Sequence, residues 1–270
     1  MGQIVGAFGV SHILMERKGV EEAADRVFSG MKTIRTKIQA LAPDLLVIVT
    51  NDHMYNFDTD LMAPFVVGIG SEYTTYGDMK LPKKTIRGHT EFGISLVETG
   101  AANGFDISVT RKIKADHGLA VPALMYSPGG ELPIVPILTN PNMRPCPSPA
   151  RAHALGKVLR QTIEENRPEG ERVVVLGTGG LSHWLALPKM GQVNAEYDHW
   201  VLDRLSSGKA SEVARLEAHE IAEKAGNGGL ETINWLVMAG AVEGSHGEVL
   251  FYEAMPSWLT GMAGLEMHVA

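Results

Sequence analysis

The sequence predicts an α/β protein in which a central, largely parallel or mixed β-sheet is flanked by helices. Two observations carry this prediction. Short, continuous apolar runs typical of buried strands recur along the chain, and segments with the helical spacing of apolar residues lie between many of them. Alternation of strands and helices favours a layered α/β architecture. Because no repeat or convincing linker interrupts the pattern, we expect one domain over residues 1–270.

The predicted strands are apolar runs of four to six residues, bounded by polar residues, glycine or proline. They are Ile4–Gly9, Leu45–Thr50, Phe65–Ile69, Ile107–Thr110, Ile134–Leu138 and Val173–Gly177. The predicted helices repeat apolar residues every three to four positions. They are Glu21–Leu41, Thr90–Asn103, Ser148–Glu165, Ala195–Leu205 and Gly229–Ala239. Strands and helices together extend from the first residues to beyond residue 230, which favours one continuous fold.

Composition excludes several classes of function. The chain has 270 residues, of which 44% are apolar and 20% charged, so it can bury a substantial core. Its formal charge is −7, and its lysines and arginines are scattered, which argues against nucleic acid or anionic membrane as a partner. The N-terminal residues lack the features of a signal peptide, and no apolar run approaches the roughly 20 residues of a membrane span. We therefore expect a cytoplasmic protein.

Metal binding, if present, must use histidine and carboxylate ligands, because the chain has a single cysteine, Cys146. Three predicted strands run directly into a segment that ends in a histidine: His12, His53 and His183. A fourth histidine, His117, follows the predicted strand that ends at residue 110. Because open α/β sheets bind ligands beyond the carboxyl ends of their strands, these histidines indicate a functional site. Neutral imidazoles suit iron and other transition metals.

Five sequence pieces together make the pattern specific. In chain order they are Gly9-Val10-Ser11-His12, Asn51-Asp52-His53, Asp116-His117-Gly118, Gly177-Thr178-Gly179-Gly180-Leu181-Ser182-His183 and Gly229-Leu230-Glu231-Thr232-Ile233-Asn234-Trp235-Leu236. This ordered set resembles the class III extradiol ring-cleavage dioxygenases, the superfamily of the protocatechuate 4,5-dioxygenase catalytic subunit. The similarity runs from residue 4 to about residue 265 and ends in a tail also seen in the 2,3-dihydroxyphenylpropionate branch.

The resemblance implies specific roles for five residues. Matched position by position, His12 and His53 are the imidazole ligands of Fe(II), and Glu231 is its carboxylate ligand. From the residues alone, Glu231 would be read as an exposed acid near a helix start. His183 and His117 match histidines that assist proton transfer around the substrate, with the acid and base roles divided differently between branches of the superfamily. The implied reaction is extradiol (meta) cleavage of a catechol-type ring, with both atoms of O2 entering the product.

Weaker matches concern the substrate pocket. Asn51 and Ser257 match positions near the pocket in the protocatechuate branch, and Trp258 is a candidate apolar wall. Asp52 and Asp116 adjoin the candidate histidines and are candidates to orient their imidazoles. A protocatechuate- or gallate-like diol is the implied substrate. The resemblance also implies either a homo-oligomer or a small accessory subunit that closes the site.

Alternatives remain open at the level of sequence. The same motifs suit cleavage of an aminophenol or a hydroxypyridone, and the same histidines could bind zinc in a hydrolase or survive in a non-catalytic binding protein. The glycine-rich segment Gly177–Gly180 also fits a phosphate-binding turn, although it lacks the full dinucleotide-binding pattern. A carboxylated substrate would need a cationic partner, for which the candidates are Lys80, Lys83, Lys84 and Arg87.

Overall fold

The computed structural model describes residues 1–58, 60 and 62–269, which form eleven strands and eight α-helices. The strands are β1 (Gln3–Val10), β2 (Leu45–Asn51), β3 (Phe65–Gly68), β4 (Glu72–Thr75), β5 (Thr85–Arg87), β6 (Ser108–Thr110), β7 (Lys114–Ala115), β8 (Ile134–Thr139), β9 (Arg172–Thr178), β10 (Gly247–Met255) and β11 (Thr260–Met267). The helices are α1 (Glu21–Ala40), α2 (Thr90–Ala102), α3 (His117–Tyr126), α4 (Pro149–Asn166), α5 (Ala195–Ser206), α6 (Ala210–Ala214), α7 (Ala218–Ala225) and α8 (Thr232–Ala241). Short 3-10 turns cover Asp78–Lys80, Gly228–Glu231 and Pro256–Trp258.

The predicted α/β architecture is confirmed. All six predicted strands are present, and their ends differ from the prediction by at most one residue. The five predicted helices are also present, the last beginning as the 3-10 turn that leads into α8. The sequence did not reveal β10 and β11, whose pairing completes one edge of the sheet, or the short β4, β5 and β7.

The main sheet has the order β10-β11-β1-β9-β2-β8-β3-β6 and is mixed. Its four central strands, β1, β9, β2 and β8, are parallel to their neighbours in this group. Strand β1 also pairs antiparallel with β11, so the two ends of the chain meet in one sheet. This pairing supports our proposal of a single domain over residues 1–270, of which Thr59, Leu61 and Ala270 lie outside the described residues.

Both faces of the sheet are covered, because side chains alternate between two hydrophobic cores. On one face, Leu46 and Ile48 pack with residues of α1 and α3. On the other, Val47 and Val49 pack with residues of α2, α4 and α8. The central strands are therefore buried on both sides, and their polar residues lie at their carboxyl ends.

A separate three-stranded sheet has the order β5-β4-β7. Strand β4 pairs antiparallel with β5 and parallel with β7. Strand β7 leads directly into α3, so His117 follows β7 and begins a helix, rather than extending from the strand that ends at Thr110. The small sheet therefore brings His117 to the carboxyl ends of the main sheet. Within the described residues, no helix is both long and apolar enough to cross a bilayer.

Candidate metal centre

Three neighbouring strands deliver the candidate residues to one place. In the register of the parallel pairs, Val10 of β1 lies opposite Thr178 of β9, and Val49 of β2 lies opposite Gly177. The three strands therefore end at nearly the same level. The segments that follow them carry His12, His53 and His183, as the position of ligand sites in open α/β sheets predicts.

His12 is oriented by two threonine hydroxyl groups. Its Nδ1 lies 3.2 Å from Oγ1 of Thr178 and 3.4 Å from Oγ1 of Thr50. Both hydroxyls donate their protons to backbone carbonyls, Thr178 to Val49 and Thr50 to Gly118, so each can only accept from the imidazole. The Nδ1 of His12 is therefore the protonated nitrogen in the neutral ring, and Nε2 keeps its lone pair.

His53 is oriented by Asp116, whose Oδ2 lies 3.2 Å from the imidazole Nδ1 and accepts the backbone N–H of His53 at 2.9 Å. A carboxylate only accepts, so Nδ1 of His53 is the donor and Nε2 again keeps its lone pair in the neutral ring. Asp52, the other candidate for this role, instead accepts N–H groups of Asn56 and Phe57 and stabilises the following turn.

Glu231 is 2% exposed, so the alternative of an exposed acid at a helix start is wrong. Its Oε2 accepts the backbone N–H of Gly180 at 2.7 Å, and its Oε1 accepts the side-chain amide of Asn51 at 3.1 Å. The N–H of Gly180 thus binds a carboxylate of the chain itself. This contact argues against the alternative that Gly177–Gly180 binds a phosphate. A Cβ atom at Gly228 would lie 2.0 Å from the ring of His183, so glycine there permits the close approach of this turn to the imidazole.

His183 and His117 show the same arrangement of ring nitrogens. The Nδ1 of His183 lies 2.9 Å from the carbonyl oxygen of Leu181, and the Nδ1 of His117 lies 2.7 Å from Oδ2 of Asp78. Both partners are acceptors, so each Nδ1 is the donor. All four imidazoles therefore have Nδ1 bound to the protein and Nε2 unprotonated in the neutral ring, although Nε2 of His53 also lies 3.1 Å from the side-chain amide nitrogen of Asn51.

The spacing of the candidate ligand atoms fits a metal ion. The Nε2 atoms of His12 and His53 lie 3.6 Å and 3.5 Å from the two carboxylate oxygens of Glu231. Ligand atoms about 2.1 Å from one first-row metal ion lie roughly 3 to 3.6 Å apart. Two imidazoles and one carboxylate match the donor set of non-haem Fe(II) sites. Ring nitrogens of His12, His53 and His117 also lie within 4.8 Å of one another, so His117 adjoins the same centre.

The electrostatics favour a cation at this position. Burial lowers the pKa of His12 to about 3, against the attraction of Glu231. Burial would also lower the pKa of His53, but its contacts with Asp116 and Glu231 raise it to about 10. Burial opposes the charge on Glu231, yet the neighbouring imidazoles, His12 first, hold its pKa below the ordinary value. The buried carboxylates thus stay ionised, and a metal ion would satisfy them in place of a proton.

A cavity of about 210 Å³ opens beside these residues. The four histidines and Glu231 line one part of it. The rest of the lining is mostly apolar and consists of Ile13, Met79, Leu185, Trp258 and Leu259, together with Gly180 and Thr260. Among the described residues, no lysine or arginine lines it, so Lys80, Lys83, Lys84 and Arg87 stand outside its wall.

The three predicted substrate contacts differ in position. Trp258 is fully buried, lines the cavity and donates its indole N–H to the carbonyl of Glu16 at 3.0 Å. Asn51 is fully buried behind Glu231, where its amide nitrogen lies 3.1 Å from Nε2 of His53. Ser257 is exposed and does not line the cavity. Substrate contact by any of the three stays a prediction.

The sequence alone did not identify several residues of the site. They include Asp78, Thr178 and Thr50, which orient imidazoles, and the cavity-lining residues Ile13, Met79, Leu185, Leu259 and Thr260. Thr178 is adjacent to a predicted strand end and sits within a quoted motif, so its position carried a usable signal. Asp78 lies 39 residues before His117 in a short turn, and no local pattern links the two.

Comparison with known proteins identifies the family of this chain. The family model described as the catalytic LigB subunit of aromatic ring-opening dioxygenase matches residues 6–263. A relative from Cupriavidus necator, named 2,3-dihydroxyphenylpropionate/2,3-dihydroxicinnamic acid 1,2-dioxygenase, is 25% identical over 283 residues, covering 87% of this chain and 88% of its own. The protein of the same name from Escherichia coli (strain K12 / DH10B) is 24% identical, covering 91% and 92%.

A crystal structure of an uncharacterized protein from Escherichia coli K12 has the same fold. It matches with a TM-score of 0.65 at 15% sequence identity and covers 97% of this chain and 99% of its own. At that identity the likeness concerns the fold alone. The family assignment therefore rests on the sequence match over residues 6–263.

Proposed function

We propose that this chain uses Fe(II) to open a small catechol-type ring. It belongs to the family of the catalytic LigB subunit of aromatic ring-opening dioxygenases and is an extradiol dioxygenase. One observation carries the proposal: two imidazole Nε2 atoms lie 3.5 Å and 3.6 Å from the two oxygens of one buried carboxylate, beside a cavity with a mostly apolar wall. Family membership favours ring opening over a zinc hydrolase or a non-catalytic binding protein.

In this proposal His12, His53 and Glu231 hold the metal. Fe(II) bound there would supply open coordination positions for the diol and O2 and would make their reaction accessible. The protein's part is to fix the ligands before the metal arrives. Thr178 and Asp116 hold the two imidazoles through Nδ1, and the Gly180 amide holds the carboxylate, so little rearrangement is needed.

His183 and His117 are the proposed proton carriers. A catechol must lose protons to bind through its hydroxyl oxygens, and Nε2 of His183 can accept one because its Nδ1–H is committed to Leu181. Thr260 Oγ1 lies 3.4 Å from Nδ1 of His183 and adds a second contact. His117, whose Nδ1–H is committed to Asp78, can hold or return a proton at Nε2 from the side of the small sheet.

The proposed substrate is a single-ring diol. A cavity of about 210 Å³ is below the roughly 300 Å³ at which pockets for drug-sized ligands begin. Ring substituents would contact hydrocarbon, chiefly Ile13, Leu185 and Trp258. A protocatechuate- or gallate-like acid would meet no lysine or arginine in the part of this wall that the structure describes, so its carboxylate would be solvated at the opening or bound by another chain. A second copy or a small accessory subunit at the opening, and a cytoplasmic location, stay predictions.

Oxygen uptake by protein reconstituted with Fe(II) under anaerobic conditions tests the proposal. The panel comprises catechol, alkyl catechols, 2,3-dihydroxyphenylpropionate, protocatechuate, gallate, aminophenols and hydroxypyridones. We expect iron-dependent uptake with at least one diol and a yellow product, and none with zinc-loaded protein. Bound iron with no uptake across the panel contradicts the proposal, whereas uptake only with aminophenols or hydroxypyridones changes the substrate class.

A further inference from the structure

Asp78 is a half-buried residue whose carboxylate binds one residue of the site twice. Its Oδ2 lies 2.7 Å from Nδ1 of His117 and accepts the backbone N–H of His117 at 3.1 Å. The side chain of Asp78 is 9% exposed, and its Oδ1 has no hydrogen-bond partner among the described residues. A carboxylate with one oxygen fully committed to a single histidine is poorly explained by packing alone.

The turn that carries Asp78 is strained. Gly77 has φ of +91°, and the two non-glycine residues after Asp78, Met79 and Lys80, have φ of +50° and +62°. Such left-handed conformations cost of order 1 kcal/mol each and persist only where the surrounding structure imposes them. Strain of this kind is commonly found where a side chain must be held in one place.

Neighbouring hydrogen bonds hold this turn against the small sheet. The hydroxyl of Thr75 donates to the carbonyl of Pro82 at 2.7 Å and accepts the backbone N–H of Lys84 at 2.7 Å. The backbone N–H of Tyr76 donates to the carbonyl of Ala115 at 2.7 Å, which ties the start of the turn to β7. The turn therefore has a fixed position relative to His117, two residues beyond Ala115.

We propose that Asp78 is a positioning residue for ring opening, which fixes His117 in the tautomer that has Nδ1 protonated and presents the unprotonated Nε2 to the cavity. The inference rests on the proposed function. Asp78 does not line the cavity, so it acts through His117 and does not touch the substrate. Met79, the next residue, does line the cavity, so one strained turn both orients a proton carrier and forms part of the wall.

The tautomer matters because a neutral imidazole has only one nitrogen able to accept a proton. Without Asp78, the proton of His117 can move to Nε2, and the ring would then present a donor where the reaction needs an acceptor. The ring would also lose the bond that sets its orientation beside His53, with which it stacks at a centroid distance of 4.0 Å. Loss of a hydrogen-bond partner that orients a histidine of this kind of site typically lowers activity by roughly 10- to 100-fold.

Two variants of Asp78 separate its charge from its shape. Asp78→Ala removes both contacts to His117. Asp78→Asn keeps an amide oxygen that can accept both N–H groups, so we expect it to retain the tautomer and recover most of the activity. Glu72→Gln, on the exposed side of β4 in the same small sheet, is the matched control. Thermal unfolding and iron content establish that each variant is folded and loaded.

The decisive measurement is the tautomer of His117 in metal-free protein labelled with 15N-histidine, read from the nitrogen chemical shifts and assigned with His117→Gln. We expect the Nδ1–H form in the wild type, Asp78→Asn and Glu72→Gln, and a shift toward Nε2–H in Asp78→Ala. An unchanged tautomer in Asp78→Ala, or the Nε2–H form in the wild type, would overturn the inference whether or not the enzyme turns over.

Kinetics test the catalytic part separately. With iron bound normally, Asp78→Ala should lower kcat by roughly 10- to 100-fold and change KM much less. Equal kcat in Asp78→Ala and the wild type would overturn the positioning role. A wild type that binds iron but opens no ring would instead overturn the proposed function, and the tautomer result would show which of the two failed.

Discussion

The cavity has two sides that are built differently. One side lies on the ends of β1, β9 and β2, which are adjacent, parallel and buried on both faces. The other side comes from the small sheet, whose strands have two to four residues, and from the strained turn at residues 77–80. The first side, together with the 3-10 turn Gly228–Glu231 that is hydrogen-bonded to Gly180, carries the candidate metal ligands, and the second carries His117, Asp78 and Met79.

This difference separates two requirements of the chemistry. Ligands of a metal must be held within a few tenths of an ångström, and strand ends in a packed core provide that rigidity. The wall that faces a substituent on the substrate needs less rigidity, and short strands with exposed residues can vary there without loss of the core. Removal of a candidate ligand from the main-sheet side should therefore affect metal binding, whereas removal of a residue from the small-sheet side should affect turnover and selectivity.

The largest effect is expected for the three ligands on the main-sheet side. His12→Ala, His53→Ala and Glu231→Gln should each lose iron and essentially all turnover, because one ligand fewer weakens both affinity and geometry. The loss should exceed the roughly 10- to 100-fold cost of an outer partner. Iron content and oxygen uptake measure it, with exposed His246→Ala as the control. Full iron content and normal uptake in any variant would remove that residue from the ligand set.

His117 sharpens this test, because its ring nitrogen lies within 4.8 Å of those of His12 and His53. If the main-sheet side holds the metal and the small-sheet side does not, His117→Ala should keep its iron and lose turnover. Iron loss from His117→Ala, with iron kept by Glu231→Gln, would make His117 a ligand and would break the comparison.

The next effect is expected for His183→Ala, which also removes a residue from the main-sheet side. Iron should stay bound, because this imidazole is assigned to proton transfer, and turnover should fall by roughly 100-fold or more. Single-turnover kinetics with the iron-loaded variant measure the loss. Unchanged turnover would rule out a catalytic role for His183 and leave His117 as the proton carrier.

A smaller effect is expected from the hydroxyl that orients His12. Thr178→Val keeps the shape of the side chain but removes the acceptor 3.2 Å from Nδ1 of His12. We expect iron affinity to fall by about 10-fold. Thr50→Val is the matched comparison, since Thr50 also donates to a carbonyl but lies farther from Nδ1, at 3.4 Å. Competition with a chelator measures both, and equal affinities in Thr178→Val and the wild type would contradict the prediction.

The same two sides differ in how far the sequence predicted them. The strand ends before His12, His53 and His183 were predictable, because a continuous apolar run that stops at polar residues marks the end of a buried parallel strand. The order of the five sequence pieces then indicated the family. The burial of Glu231 was not evident from its own surroundings, since an acid before a helix is usually exposed, and the contacts of Gly180 and Asn51 with it join distant parts of the chain.

The small sheet was not predictable, for physical reasons. Strands β5 and β7 have three and two residues, too few to show a periodic pattern, and their pairing depends on tertiary contacts. Helix α3 contains Pro122, which argues against a helix in the sequence. Positive φ at Met79 and Lys80 is likewise imposed from outside, because neither residue favours it. The partner of His117 therefore emerged only with the fold.

The smallest predicted effect concerns substrate selectivity and the wall of the small-sheet side. Met79 lines the cavity and is 39% exposed, so Met79→Ala should widen the opening at little cost to the core. We expect the ratio of kcat/KM for a bulky alkyl catechol to that for catechol to rise a few-fold, below the roughly 10-fold that loss of a fully buried contact can cause.

Met190→Ala is the control. Met190 is exposed and does not line the cavity, so this variant should leave the ratio unchanged. Iron content should stay normal in both, because neither residue is a candidate ligand or supplies a hydrogen bond that orients one. An unchanged ratio in Met79→Ala would place selectivity on the main-sheet side, with Trp258 and Ile13, and the two sides would then not divide chemistry from selectivity.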